Sequence, residues 1–318
     1  MKRATKWIID TDIGDDIDDA FSIQFAVKGG LDILGVTTVF RSAYLRAELA
    51  SYLLELCGRG DIPVFAGEDL PVDGCVDRIQ KAQNWLPEQK FLALKGDEQW
   101  LPHDLPQMHG AAVARGRAVD FIISCAEQYG DELGILSIGP MTNLARCLAA
   151  APAAMLGIGE IVFLGGNIEE DVAEWNVALD AAAAQAVFSS GICIRQIGSN
   201  LSWRCCATTE VEKEKLMCQP GQLGEANRLM LQKWSETPVY RGKTPCLHDL
   251  LPVLAVLSPQ SFRFSEKRVR VGQEGGERGK TLPDEENGSL ILSAEAVDPA
   301  DYGRYLQKYI LSASAVAV

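Results

Sequence analysis

Asp10-Thr11-Asp12-Ile13-Gly14-Asp15-Asp16-Ile17-Asp18-Asp19 lies between the apolar run Trp7-Ile8-Ile9 and the stretch Ala20-Phe21-Ser22-Ile23-Gln24-Phe25-Ala26-Val27. That succession predicts a short buried strand, a tight Gly-containing turn and a helix. Six of the ten residues are Asp. Carboxylates packed this closely repel one another strongly unless a cation sits among them. Hard oxygen ligands suit calcium or magnesium. A solvated acidic helix start, with Asp capping the helix and favouring its dipole, accounts for one or two Asp, not six between apolar segments.

Beyond this stretch, strand-like apolar runs alternate with helical patterns. Leu31–Val39, Pro63–Phe65, Gly134–Ile138, Ile161–Leu164 and Ile192–Ile197 read as strands. Ala43–Cys57, Val119–Tyr129, Met141–Ala150 and Ala181–Ser189 have helical spacing. The alternation predicts an α/β fold with a mostly parallel central sheet and helices on both faces. In such sheets ligands bind outside the carboxyl ends of the strands. Residues from about 68 to 118 break the pattern and read as a long loop or lid. Glu266 to Ala296 predicts a C-terminal β-hairpin, and a last helix runs from about Pro299 to Leu311. With no repeat, linker or low-complexity tract in view, residues 1–318 are expected to form a single domain.

The composition excludes several classes. The net charge of -13 argues against nucleic acid as a partner, because phosphate binding needs a basic face. No apolar run reaches membrane-spanning length, so no membrane partner is expected. Met1-Lys2-Arg3 is basic, but the apolar stretch before Asp10 is too short for a signal peptide. Nine cysteines, an odd number without a Cys-x-x-Cys pair, suggest neither a zinc site nor a disulfide framework. A reducing cytoplasm fits best.

Three further clusters carry chemistry. In Ile138-Gly139-Pro140-Met141-Thr142-Asn143 a strand ends at Gly-Pro, where exposed carbonyls can bind a hard cation. Gly165-Gly166-Asn167, followed by Ala173-Glu174-Trp175-Asn176, offers donors and acceptors for sugar hydroxyls, or is an ordinary loop. His248-Asp249 precedes the apolar run Leu250–Leu257. His exchanges a proton near neutral pH, and Asp is a further metal ligand. Of the other two histidines, His109 lies in the loop region and could face the site, while His103 is expected to be exposed.

Taken together, these residues resemble the nucleoside hydrolase family of the inosine-uridine preferring type, over nearly the whole chain. The family's strand-Asp-x-Asp-x-Gly, then Asp-Asp-Ala, is matched by Asp10-Thr11-Asp12-Ile13-Gly14 and Asp18-Asp19-Ala20, with two extra residues between. Thr37-Thr38-Val39, Ile138–Asn143, Glu174-Trp175-Asn176 with Asp180, and His248-Asp249 follow in the family's order. The resemblance implies a Rossmann-like nucleoside hydrolase fold and hydrolysis of the N-glycosidic bond of ribonucleosides to ribose and free base. It implies a calcium ion (Ca2+) held by Asp12, Asp19, the carbonyl of Ile138 and Asp249. Asp12 would also be the general base. Asp18 and Asn176 would bind the ribose hydroxyls, with Glu174 and Asn167 near the 5′-hydroxyl. His248 would protonate or orient the leaving base, and Asp10 would shape the turn. Asp15 and Asp16 would only cap or solvate the longer turn. A homo-dimer or homo-tetramer is implied as well.

This assignment is chemically coherent. Cleaving an N-ribosidic bond builds positive charge on the sugar, which a ring of carboxylates stabilises. The leaving base gathers electrons, so a proton donor or stacking aromatic helps there, with Trp175, Trp203, Trp234 and Tyr240 as candidates. Three departures from the family pattern bear on the pocket. Ser42 stands where the family carries Asn. Ala111-Ala112-Val113 replaces an acidic, Gly-rich continuation after Met108-His109-Gly110. The stretch from Asn167 to Glu174 is short. They motivate an alternative, a weakly active or non-catalytic homologue that binds calcium and a ribosyl ligand. A phosphatase with Asp10 and Asp12 as its Asp-x-Asp pair leaves the later clusters unexplained.

Overall fold

The computed structural model describes residues 4–14, 16–72, 113, 117–236 and 240–312. Among them, β1 (Lys6–Thr11), β2 (Asp32–Thr38), β3 (Val64–Ala66), β4 (Leu133–Ser137), β5 (Glu160–Leu164), β6 (Ile194–Ile197), β7 (Phe262–Val271), β8 (Thr281–Pro283) and β9 (Ser289–Val297) form a 9-stranded sheet. Its order is β3-β2-β1-β4-β5-β6-β9-β7-β8. From β3 to β9 every pairing is parallel, and β7 runs antiparallel to both β9 and β8.

Every residue of β4 and β5 is buried, as expected of parallel strands covered on both faces. Alternate side chains feed two apolar layers. Ile8 joins Ile135, Ile161 and Phe163 on one face, and Trp7 and Ile9 join Leu136 and Val162 on the other. The chain winds outward from β1 to β3, then returns to place β4 on the other side of β1. That reversal makes a crevice between the carboxyl ends of β1 and β4, the place where doubly wound sheets bind ligands. The register sets Asp10 beside Ser137 and Thr37, so the loops after β1, β2 and β4 open side by side.

The expected strands and helices are present within a few residues of their expected ends. The C-terminal hairpin is part of the main sheet: β9 pairs with β6 at Arg195↔Leu292 and Gln196↔Ser293. The last helix runs Pro299–Tyr305 and continues as a π-helical turn, Leu306–Leu311. Ser199–Cys205, Glu210–Met217 and Gly221–Glu236 are helices that the apolar periodicity does not announce. Within Glu210–Met217 only Leu216 is buried. Most of the expected loop or lid, with His103 and His109, lies outside the described residues, as does Asp15. Among the described residues no helix is long and apolar enough to cross a membrane.

Candidate active site and metal centre

The acidic turn is clamped from two sides. Gly14 takes φ 114°, a conformation L side chains rarely adopt. Arg46, from the helix Ala43–Leu56, is buried beneath the turn. Its Nη1 donates to the carbonyls of Asp12 and, at 2.9 Å, Ile13. Its Nε donates to the carbonyls of Phe40 at 2.7 Å and Arg41 at 3.0 Å. Opposite, Asp16 accepts from Trp234 Nε1 at 2.8 Å, Tyr240 OH at 3.0 Å and the Ile17 N–H at 2.7 Å. Asp16 is therefore a tether to the helix Gly221–Glu236, rather than a solvated cap. Trp234 and Tyr240 stack on each other, 4.7 Å between centroids, and serve that tether.

Asp18 and Asp19 open the helix Asp18–Lys28, and Asp249 opens the helix Leu250–Leu257. The Ser22 hydroxyl joins the two by donating to the Asp249 carbonyl at 2.8 Å. One carboxylate oxygen from each of Asp18, Asp19 and Asp249 lies within 4.8 Å of the others, and all three residues are buried. Burial drives each carboxyl well above the usual carboxylate range, and the neighbouring acids add to it. Asp12 pushes up all three. Its own carboxylate rests against Gly139, where a Cβ would come within 2.9 Å of Asp12 Oδ1 and N. The Thr11 hydroxyl donates to Asp19, and Arg46 pulls Asp19 partly down. A buried, all-oxygen, anionic donor set of this kind fits a hard divalent cation. Asn176 Nδ2 donates to the carbonyls of Ile138 at 3.1 Å and Leu164 at 3.0 Å, bridging the ends of β4 and β5.

Asp10 lies one layer below. It accepts from Thr37 Oγ1 at 2.6 Å and Asn143 Nδ2 at 2.7 Å. Burial pushes it up to about 6 despite those two bonds. Asn143 also donates to the Thr38 carbonyl at 3.1 Å, tying the ends of β1 and β2 to the helix Thr142–Ala150. Asp180 likewise holds structure, accepting from Thr142 Oγ1 at 2.7 Å and the Val72 N–H at 2.8 Å.

Beyond β5, Glu174 caps the helix Trp175–Leu179 through the N–H groups of Asn176 and Val177, and accepts from the Gly166 N–H at 2.8 Å. Burial raises its carboxyl against those bonds. The Asn167 side chain is engaged within its own loop, accepting from the Glu169 and Glu170 N–H groups and donating to Glu170 at 2.8 Å. Ser42 sits at φ 47°, the last of three consecutive left-handed residues, and its side chain makes no cap to the following helix. Asn favours this backbone region. His248, half-buried, has Nδ1 2.8 Å from Ser202 Oγ, and its ring meets exposed Trp203 edge-on at 4.5 Å. Burial holds His248 down to about 4.

Residues 7–304 match the family described as inosine-uridine preferring nucleoside hydrolase. The chain belongs to this family. An Arabidopsis thaliana protein named Probable uridine nucleosidase 2 is 30% identical over 290 residues, covering 87% of this chain and 85% of that protein. The Pyrimidine-specific ribonucleoside hydrolase RihB of Escherichia coli O1:K1 / APEC is 26% identical over 292 residues, 88% of this chain and 87% of that one. Two solved structures share the fold. One is the Plant nucleoside hydrolase PpNRh1, with TM-score 0.74 and 24% identity over 97% of this chain and 99% of that one. The other is the Inosine-Guanosine Nucleoside Hydrolase, with TM-score 0.75 and 20% identity over 96% and 98%.

This nucleoside hydrolase is an N-ribosyl hydrolase, a metal-dependent one by family, with a buried acidic cluster. Asp12 follows β1, Ile138 follows β4, and Asp18, Asp19 and Asp249 lie at the starts of two helices. Among the described residues Asp18 joins Asp19 and Asp249 in one carboxylate group, with Asp12 acting on all three. No motif in the sequence marks the buried Arg46 or the Asp16 tether. A lone Arg in the stripe Ala43, Ala47, Ala50 was the available signal for the first.

Proposed function

We propose that this nucleoside hydrolase cleaves ribonucleosides with a bound calcium ion held by Asp12, Asp19, the Ile138 carbonyl and Asp249. The observation that carries this reading is the buried carboxylate cluster at the switch of the sheet: three acids within 4.8 Å, with Asp12 alongside. Calcium, when bound, fixes the ribose diol and lowers the pKa of a bound water. Asp12 takes a proton from the attacking water, whose oxygen bonds to C1′ as the C1′–N bond breaks. The bonding pair leaves on the base, and His248 protonates or orients that base. Asp18 and Asn176 bind the ribose hydroxyls, and Glu174 and Asn167 border the 5′ end. Asp10 stays a support, locked by Thr37 and Asn143. The exposed ring of Trp203 against His248 supports it as the aromatic on the base side. The protein acts as a single-domain homo-dimer or homo-tetramer in the cytoplasm.

Uridine is the first substrate to test, because curated relatives carry uridine nucleosidase names. The assay is release of reducing sugar from a panel of purine, pyrimidine and modified ribonucleosides, with calcium present. Turnover that disappears with chelator supports the reading. No turnover on any of them by the calcium-loaded protein overturns it.

A further inference from the structure

Asn176 stands on a helix of five residues, Trp175–Leu179. So short a helix has too few internal hydrogen bonds to fix its own place, and outside contacts must set it. Asn176 Nδ2 ties it to the ends of β4 and β5. A second set of contacts comes from the turn between β7 and β8, residues 272–280. Arg278 Nη1 donates to the Ala178 carbonyl at 2.7 Å, in the last turn of the helix, where carbonyls lack intrahelical partners. Gly279, at φ 79°, packs against the same residue: a Cβ there would come within 2.6 Å of Ala178 Cα. Gln273 Nε2 donates to the Ala181 carbonyl at 3.0 Å, just past the helix. Before the helix, Lys280 forms a β-bridge with Ala173, and its Nζ meets Asp171 Oδ1 at 2.7 Å. The turn thus grips the chain on both sides of Glu174 and Asn176. The hairpin itself is already fixed to the sheet, because β7 pairs with β9 from Phe262 to Val269. What the turn adds is the placement of the helix.

We propose that this turn is part of the sugar site's frame and that Arg278 is a positioning residue, acting through Trp175–Leu179 to aim Asn176 at the ribose. The proposal rests on the reading that Asn176 binds ribose hydroxyls. Misplacing a substrate-binding group by about 1 Å costs up to about 100-fold in rate, so releasing Ala178 reaches the reaction through the helix.

The test measures kcat and KM on uridine in the full chain at saturating calcium. Arg278→Met and Gly279→Ala are made both in the parent and in Asn176→Ala. Arg270→Met, which removes only the exposed pair with Glu277 on the same hairpin, is the control. In the parent, Arg278→Met and Gly279→Ala should each lower kcat/KM tenfold or more. Arg278→Lys, which keeps a donor for Ala178, and Arg270→Met should stay within about threefold of the parent. In Asn176→Ala the first two substitutions should cost less than about twofold more, because the group they place is gone. Equal losses in both backgrounds, or parent-like kcat/KM in Arg278→Met, overturn the proposal. Should Arg278→Met lose cooperative unfolding, Gly279→Ala in the two backgrounds decides alone. Parent-like turnover in Asn176→Ala by itself overturns the reading of Asn176, and the proposal with it.

Discussion

Asp249→Asn should stabilise the metal-free protein at pH 8 while abolishing its response to calcium. Asp249 faces Asp18 and Asp19, with oxygens within 4.8 Å. At that separation each ionised pair repels by at least about 3 kcal/mol at an effective dielectric of about 20. Burial, with this repulsion added to it, raises all three carboxyls, and bound protons relieve part of both. The unfolded chain releases those protons at an ordinary pKa of about 4, so between there and the raised values the folded chain binds more protons. Metal-free stability therefore falls as pH rises through that window. Asp249→Asn removes one titrating group and its repulsion with Asp18, Asp19, Asp12 and Asp16. The expected gain at pH 8 in chelator is about 1–3 kcal/mol, with a shallower pH slope. Calcium at about 1,000 times its Kd adds about 4 kcal/mol to the parent and little to the variant, reversing their order. Urea unfolding at pH 6 and pH 8, with chelator or calcium, measures all four quantities. A variant less stable than the parent in chelator at pH 8, or equally stabilised by calcium, refutes the reasoning.

Three other substitutions probe the frame around the cluster. Gly139→Ala places a Cβ 2.9 Å from Asp12 N and Oδ1, and kcat on uridine should fall about 100-fold or more, some 3 kcal/mol; parent-like turnover would show that Asp12 is not held there. Arg46→Leu strands four backbone carbonyls and should lower stability by about 3 kcal/mol or more in chemical denaturation. Asn176→Ala frees the Ile138 carbonyl from its 3.1 Å bond, and calcium affinity measured by calorimetry should drop about 10–100-fold.

The parallel core was legible because buried strands read as apolar runs closed by Gly or Pro, so Gly134–Ile138 anticipates β4 at Leu133–Ser137. The helices between Ser199 and Glu236 are far less legible. They are built largely from charged and polar residues, although Thr209 and Glu212 form a capping box that sequence alone could have flagged. Asp249 was legible from its place beside His248 at a helix start. Arg46 was not, because its four acceptors come from residues 12, 13, 40 and 41, which only the fold brings together. The expected ligand set paired Asp12 with Asp19 and Asp249. Asp18, expected at the ribose, also stands within 4.8 Å of Asp19 and Asp249, because it is the neighbouring residue at the same helix start.

Sugar release from uridine by chelator-stripped protein, followed through a calcium titration alongside direct calcium binding, tests the role of the acidic turn most directly. The rate should be lost on stripping and return in proportion to one calcium ion bound per chain, with neither return nor binding in Asp249→Asn. Full activity in the stripped protein, or equal calcium binding by Asp249→Asn, would contradict it.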